Sequence, residues 1–577
     1  MKHAKFIWIS LAVALCGSAT AISGGKHNQI YIYKLAQKDN VAMYDEAMVV
    51  SCLQGIINRE GPKVYVISQS NKEPHYWLEK FTSGGRWLQG MKADTLKSMD
   101  ELIALAGTKI KGAIIWDTNV PATVNVATTV AGVENGVVLS PGLASEYLDK
   151  WKLPVIKDFR GVFTGKQTGS AKNDAYRWAI SNYLSKGLCY AHRIFLSEDA
   201  FTARGKGDIG YVVTRDWAVY KGSFVYDLSP WGDEQPQDDP NQVPGTDLET
   251  YKMILGEILK QTDGKEMTEA AGFFAFSKYS NMPDHKSRHE AVPTEWESVY
   301  MMTPYNCYQN TVASYCFNQS FHSQAPVEPL KQHRPSIVKK LENKTYICIL
   351  MADYDSATPL YEFLRKFWDD KHRGEMPLIW GLNPNLVETY PDIIGYLYST
   401  VSDNDYFGAD ASAAGYMNPN RILPQYMSLF VDHNRKFYNQ LDMTISPMVL
   451  DWDEPTEQVK DAFAQFSPDG FATIVYDFHN RGGKNPKPQV WKGMPVMEQH
   501  NEACNFFGAE QTAKIMSEVI TTKPDNKPAF HFFRITWTSP ENVIACIEEL
   551  KRLRPESNIE VLDPYNFNRL FKECNSN

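Results

Sequence analysis

TYICILMADYDS (Thr345–Ser356) is an apolar run that ends in two closely spaced acids, and this arrangement recurs down the C-terminal half of the chain. Pro377 to Gly381 leads into Leu382-Asn383-Pro384, and Met443 to Leu450 into Asp451-Trp452-Asp453-Glu454. Phe471 to Tyr476 leads into Asp477-Phe478-His479-Asn480, Pro495 to Met497 into Glu498, and His531 to Ile535 into Thr536-Trp537-Thr538. Ile559 to Leu562 closes the series with Asp563. Helical patterns such as Pro359 to Trp368 and Pro540 to Leu553 fall between these strands. Strand, polar turn and helix, repeated seven or eight times over roughly 240 residues, is the pattern of a (β/α) barrel. The series predicts a C-terminal TIM-like barrel over 336–577, with the strands ending at Met351, Gly381, Leu450, Tyr476 and Met497 parallel and pointing one way.

Upstream the fold class stays α/β. Gln29 to Tyr33, Lys63 to Ile67 and Gly112 to Trp116 read as strands, separated by a helix over Met43 to Asn58 and another around Trp77-Leu78. This alternation implies parallel sheets with right-handed crossovers, so the N-terminal part is expected to be Rossmann-like. The expected segments are 22–145, 146–235 and 236–335. Strands are expected near Ile209 to Thr214 and Ser223 to Tyr226, and a Pro- and Asp-rich junction at Trp231 to Gly245. The third segment carries an aromatic cluster (Phe273, Phe274, Phe276, Tyr279) and Glu295-Trp296, and ends in a linker from Pro326 to Arg334.

Lys2, His3 and Lys5 precede the apolar run Phe6 to Leu15, and Ala19-Thr20-Ala21 offers a cleavage site. The run is too short to span a bilayer, so 1–21 reads as a signal peptide cut after Ala21 and the protein as periplasmic or extracellular. No later stretch is long enough for a transmembrane helix. Lys+Arg number 59 against 68 Asp+Glu, a net charge of −9, which disfavours a nucleic-acid partner because no basic cluster offsets it. Of the eight cysteines after Cys16, only Cys307 and Cys316 are close enough in sequence to suggest a bridge. Aromatic residues make up 12 %, which suits both sugar stacking and a large core.

Two motifs resolve to plain structure. Gly205 to Gly210 matches GxGxxG, but Tyr211-Val212-Val213 reads as a strand where a dinucleotide site needs a helix, so a surface turn is expected. His285 and His289 form H-x3-H beside Asp284, but Pro283 and Pro293 bracket them and a solvated loop is expected. No metal and no cofactor is expected. The acids after the strands carry the chemistry instead. Glycosidic hydrolysis needs one protonated carboxyl and one carboxylate flanking the bond. Asp353 and Asp355 share a turn where repulsion can separate their pKa values, although Asp355 would equally suit a helix cap.

The loop Asp403-Asn404-Asp405-Tyr406-Phe407-Gly408, running to Ala413-Ala414-Gly415-Tyr416-Met417-Asn418-Pro419, resembles the signature of the GxGYxYP putative glycoside hydrolases. Gly415, Tyr416 and Pro419 fit the signature, while Ala413 stands for its first Gly and Asn418 for its second Tyr. Leu53-Gln54-Gly55-Ile56-Ile57-Asn58-Arg59 with Pro62-Lys63-Val64-Tyr65 is similar to the family's opening, and Pro377 to Pro384 to its second barrel strand. The resemblance implies small N-terminal subdomains, a C-terminal barrel and a carbohydrate substrate.

Asp353, Asp355, Asp405 and Glu498 are thus the expected acid/base pool. Asp405 or Glu498 is the expected general acid and Asp353 the ionised nucleophile or base. Trp380, Tyr416, Trp452 and Trp537 are expected to stack on sugar unless they belong to the core, and Asn383 and His479 to bond hydroxyls. Two alternatives remain open: a carbohydrate-binding protein without catalysis, and a metal-dependent deacetylase. The sequence leaves sugar, linkage and oligomeric state undetermined.

Overall fold

The structure, a computed structural model, describes residues 29–197, 200–274, 278–279, 289–311, 314–327, 329–520 and 527–575. The expected signal peptide, Phe276, Asp284 and His285 lie outside the described residues.

Three parallel sheets build the N-terminal half. The first orders Val64–Ser68, Gln29–Leu35 and Lys92–Leu96, and the second Gly136–Leu139, Gly112–Ile115 and Val155–Asp158, so the second sheet spans residue 145. The third orders Cys307–Thr311, Thr268–Gly272, Arg193–Leu196 and Phe224–Tyr226. The helix Asn40–Ile57 is buried from Tyr44 onward and packs against helices of all these layers. Gly55 permits its closest approach, since a Cβ there would lie 2.5 Å from the Asp216 carbonyl. The expected strand at Ile209 to Thr214 is instead a helical turn, Gly210–Val213. The preceding Gly207 is buried against Asn40, not a surface turn. Tertiary packing here overrides the β preference of the Val-Val pair.

The C-terminal half is a nearly closed parallel barrel of seven strands: β1 Thr345–Tyr354, β2 Leu378–Leu382, β3 Asp405–Ala409, β4 Ile445–Asp451, β5 Gly470–Val475, β6 Met494–His500 and β7 Ala529–Thr536. Their order around the wall is β3-β2-β1-β7-β6-β5-β4, every ladder parallel, as the strand series predicts. The seam lies between β3 and β4. Pro447 in β4 has no N–H to offer there, and Gly408 of β3 faces it with no room for a Cβ. Ser412 stitches the seam, its N–H donating to the Met448 carbonyl (3.0 Å) and its hydroxyl to that of Leu450 (3.0 Å). Cys348, Leu350, Ile379, Met448, Leu450, Ile474, Met497 and Phe532 fill the interior, and Phe567 and Phe571 of the terminal helix Pro564–Asn575 join the same cluster.

All eight cysteines after Cys16 are free, Cys307 and Cys316 included. Among the described residues no helix is long and apolar enough to cross a membrane.

Candidate active site at the barrel mouth

β1 pairs with β2 in register to Met351 and then shifts by a bulge before Tyr354. Asp353 takes up the extra residue with φ +65°, a conformation uncommon for a side-chain-bearing residue. The bulge lets Tyr354 bury outward against Phe367 and Trp380, while Asp353 and Asp355 both open on the mouth. The N–H of Asp353, freed from the ladder, donates to Asp410 Oδ2 (3.0 Å). Asp410 directly follows β3, and Gly381 makes room for it, since a Cβ at 381 would fall 2.2 Å from Oδ2. A substitution at Gly381 therefore displaces an acid of the site.

Arg534 enters from β7. Phe532 points into the barrel, so by the two-residue period Arg534 does too. Its guanidinium makes an ion pair with Asp353 Oδ1, donates to Asn501 Oδ1 (2.8 Å), and leaves its buried Nε without a partner among the described residues. Asn501 in turn donates to the Tyr476 hydroxyl (2.6 Å). The helix Ala291–Met302, from the N-terminal half, lays Glu295 and Trp296 across the opening, with Trp296 4.8 Å from the Tyr476 ring. The cavity is about 580 Å³.

The electrostatics divide the acids. Burial, reinforced by the charge of Asp353, pushes the Glu295 carboxyl up to about 8, and the same two causes push Asp410 up to about 7. Asp355 lies well above the usual carboxylate range through burial and its acidic neighbours. Arg534 loses hydration by burial, yet Asp353 and Asp410 hold its pKa above the ordinary guanidinium value. One ion pair therefore sits among three carboxyls whose pKa values are all raised.

A consequence for stability follows. Glu295 titrates near 8 in the fold against 4.5 unfolded, so its contribution is present below the unfolded value and is lost as pH rises through 8. Glu295→Gln carries no such charge. Thermal melts should therefore show little difference near pH 4.5, and a variant more stable than the wild type by about 5 kcal/mol near pH 9. Parallel melting curves across that range would remove the assignment.

The mouth gathers Asp353, Asp355, Tyr416 and Trp537 of the residues expected from sequence. Trp537 is 52 % exposed, and its Nε1 donates to the Asp353 carbonyl (3.2 Å). The helical stretch after Asp355 begins at Ala357, and the turn Pro359–Phe363 within it has no side-chain cap, so Asp355 does not cap that turn. The other expected residues lie elsewhere. Asp405 opens β3 at the opposite end of the barrel, buried in an ion pair with Arg373 and bonded by Trp380 Nε1 (2.9 Å). It is the first residue of a strand, not part of the loop after one. Glu498 alternates with the inward Met497, so it points out of the barrel, where Asn485 donates to it (3.2 Å). Trp380 is core between β2 and the helix layer, next to Trp368. Asn383 caps the turn Pro384–Glu388 by accepting from the Asn385 N–H (3.0 Å).

Trp452 is buried on Tyr300 with ring centres 4.5 Å apart, and His479 bonds Glu297 (3.2 Å) beside it. That aromatic group does not line the cavity. His289, half of the H-x3-H pair, stacks on Trp231 and bonds Asp233 (2.8 Å). Among the described residues no three His, Cys, Asp or Glu side chains group as metal ligands do.

Sequence reasoning missed Asp410, Glu295 and Arg534 as site residues. Arg534 had a local signal, a cation in phase with Phe530 and Phe532 in a strand rich in aromatic and apolar residues. Asp410 had one as well, as the acid that follows the true end of β3.

Comparison with known proteins places this geometry. A crystal structure described as a putative hydrolase from Bacteroides thetaiotaomicron VPI-5482 superposes with TM-score 0.69 at 17 % identity, covering 95 % of each chain, which shows a shared fold. No protein of curated function matches the chain. Family profiles match in order along the sequence: the GxGYxYP N-terminal first domain at 29–106, its second domain at 110–187, and the GxGYxYP putative glycoside hydrolase C-terminal domain at 343–572. These matches cover the barrel and the first two N-terminal modules, more than half of the chain, and the chain belongs to the GxGYxYP family.

Proposed function

We propose that the protein is an exported glycoside hydrolase whose active site is the barrel mouth. One observation carries the reading: Asp353, held in an ion pair by Arg534, shares a cavity with Glu295, whose carboxyl is pushed up to about 8 by burial. Glycosidic cleavage uses this pair of states, with Asp353 as nucleophile or base and Glu295 as the acid that protonates the leaving oxygen. Burial also raises the pKa values of Asp355 and Asp410 beside them. Trp537, Trp296 and Tyr416 offer ring surface to the apolar faces of sugar units.

A screen of polysaccharides and oligosaccharides, scored for both binding and released reducing ends, tests the proposal. Release of sugar that survives a chelator supports it. Binding with no release from any bound glycan would leave a carbohydrate-binding protein instead. Release of acetate that stops with chelator would leave a deacetylase. Export belongs to the same proposal, and rests on the charged, apolar and Ala-x-Ala order of the first residues. Mass spectrometry of the protein made by its own secretion route is expected to find Ile22 as the N-terminus; retention of Met1 or a lipid on Cys16 would count against it.

A further inference from the structure

We propose that the sugar taken at the barrel mouth carries a free amine, bound as an ammonium by Asp355. The inference rests on the reading of the mouth as a saccharide site and deepens it, since the cleavage proposed there gives Asp355 no part to play.

The charged side chains that line the mouth are Glu295, Asp353, Asp355 and Arg534, and Asp410 bonds the Asp353 N–H beside them. Four carboxyls thus meet one guanidinium, and that guanidinium is committed to Asp353. Asp355 has neither an ion pair nor a hydrogen bond among the described residues, and it stands in the field of Asp353, Asp410 and Glu295. A sugar hydroxyl could bond this carboxyl, but it would bring no charge to offset the neighbouring acids. An ammonium does both, and lets Asp355 ionise.

A second observation points to a ligand at the same place. Tyr416 is 6 % exposed and lines the cavity, yet its hydroxyl has no hydrogen-bond partner among the described residues. A buried hydroxyl is costly until something bonds it. Glu295 and Asp355 are the acids whose charges act on it most, so hydroxyl and carboxyl share one part of the wall. The loop that presents Tyr416 is strained and firmly held. Ala411, Ser412 and Ala413 have φ of 55°, 79° and 154°. The Ala414 N–H donates to Asn434 Oδ1 (2.8 Å), and Tyr416 exchanges backbone bonds with Gln309 (2.8 and 2.9 Å). Strain kept in place by its surroundings is a mark of a functional loop.

The rest of the wall suits an organic cation. Trp296, Tyr476 and Trp537 turn rings to the cavity, and such faces attract ammonium groups as well as the apolar side of a sugar. An amino sugar joins one ammonium, several hydroxyls and an apolar face.

Calorimetric titration of the full-length protein near neutral pH with D-glucosamine and D-galactosamine tests the assignment. Their N-acetyl forms, glucose, galactose and cyclohexylamine are the controls. At least one amino sugar should bind saturably, and about tenfold or more tighter than its parent and N-acetyl forms. Asp355→Asn should erase that preference while the weaker binding of the neutral sugars stays. No preference for the amine overturns the proposal, and so does a preference that survives in Asp355→Asn. Cyclohexylamine binding as tightly as the amino sugars would overturn the sugar. Should Asp355→Asn fail to fold, the amine-against-acetamide comparison on the wild type and the exposed Trp537→Ala, expected to weaken the amino sugar severalfold, carry the same test. Cleavage of neutral glycans without an amine preference would remove this inference and leave the hydrolase. An amine preference lost in Asp355→Asn, with no glycan cleaved, would do the reverse.

Discussion

Asp353→Asn is expected to lower glycoside turnover by roughly four orders of magnitude while the protein still folds. The loss follows from the role, because an amide can neither attack an anomeric carbon nor activate water. The fold survives because the site holds a surplus of acids. Asp410, Asp355 and Glu295 all feel Arg534, and each is lowered by it. When Asp353 loses its charge, one of them can release its proton and become the counter-ion. Glu295→Gln separates the acid role from the nucleophile role. It should cost about 10²–10⁴-fold on substrates with poor leaving groups, and far less on an activated aryl glycoside that leaves without a proton. In the wild type, kcat/KM should fall above the Glu295 pKa of about 8, and this alkaline limb should disappear in the variant. Equal losses on both substrate types would remove Glu295 from the acid role. An undiminished rate in Asp353→Asn would remove the mechanism altogether.

Arg534→Gln is expected to have the opposite profile, with its main effect on stability. It removes the cation around which four carboxyls are arranged, and breaking a buried ion pair from one side costs about 3–5 kcal/mol. The sign of the pH dependence follows from the same contacts. Arg534 lowers the pKa of Asp410, Asp355 and Glu295, so its loss raises all three further above their unfolded values. Groups raised in the fold stabilise below their unfolded pKa and lose that contribution as pH rises through the folded one. The deficit of Arg534→Gln should therefore be nearly constant below about pH 7 and grow as pH rises through the wild-type values of Asp410, about 7, and Glu295, about 8. Denaturant melts of both proteins at several pH values measure this directly. A deficit independent of pH would mean that Arg534 matters for packing alone.

The contrast between these variants marks what could be read without a structure. Barrel strands, their direction and their polar ends were legible because alternation and apolar runs are local properties of the chain, and a parallel strand followed by a helix has few ways to pack. Asp353, Asp355, Tyr416 and Trp537 were legible for the same reason, each lying just past a strand or in the loop that extends from one. Asp405 and Asp410 show where this reading ended. They lie five positions apart at opposite ends of β3, and the choice between them depends on where the strand begins. That boundary is set by the ladder with β2, which pairs Leu378 with Asp405 and Leu382 with Ala409, and no local pattern contains it.

Local pattern also left the directions of Glu498 and Trp380 open, because a strand's two faces become distinguishable only once the sheet has closed. The site itself is a tertiary product. Glu295 comes from a helix in the N-terminal half, Asp353 from a bulge in β1, Asp410 from the end of β3 and Arg534 from β7. The sequence sets the residue types and the order of elements. Barrel closure and the helix across its mouth bring those charges within range of one another, and that proximity, together with burial, determines which acids keep their protons.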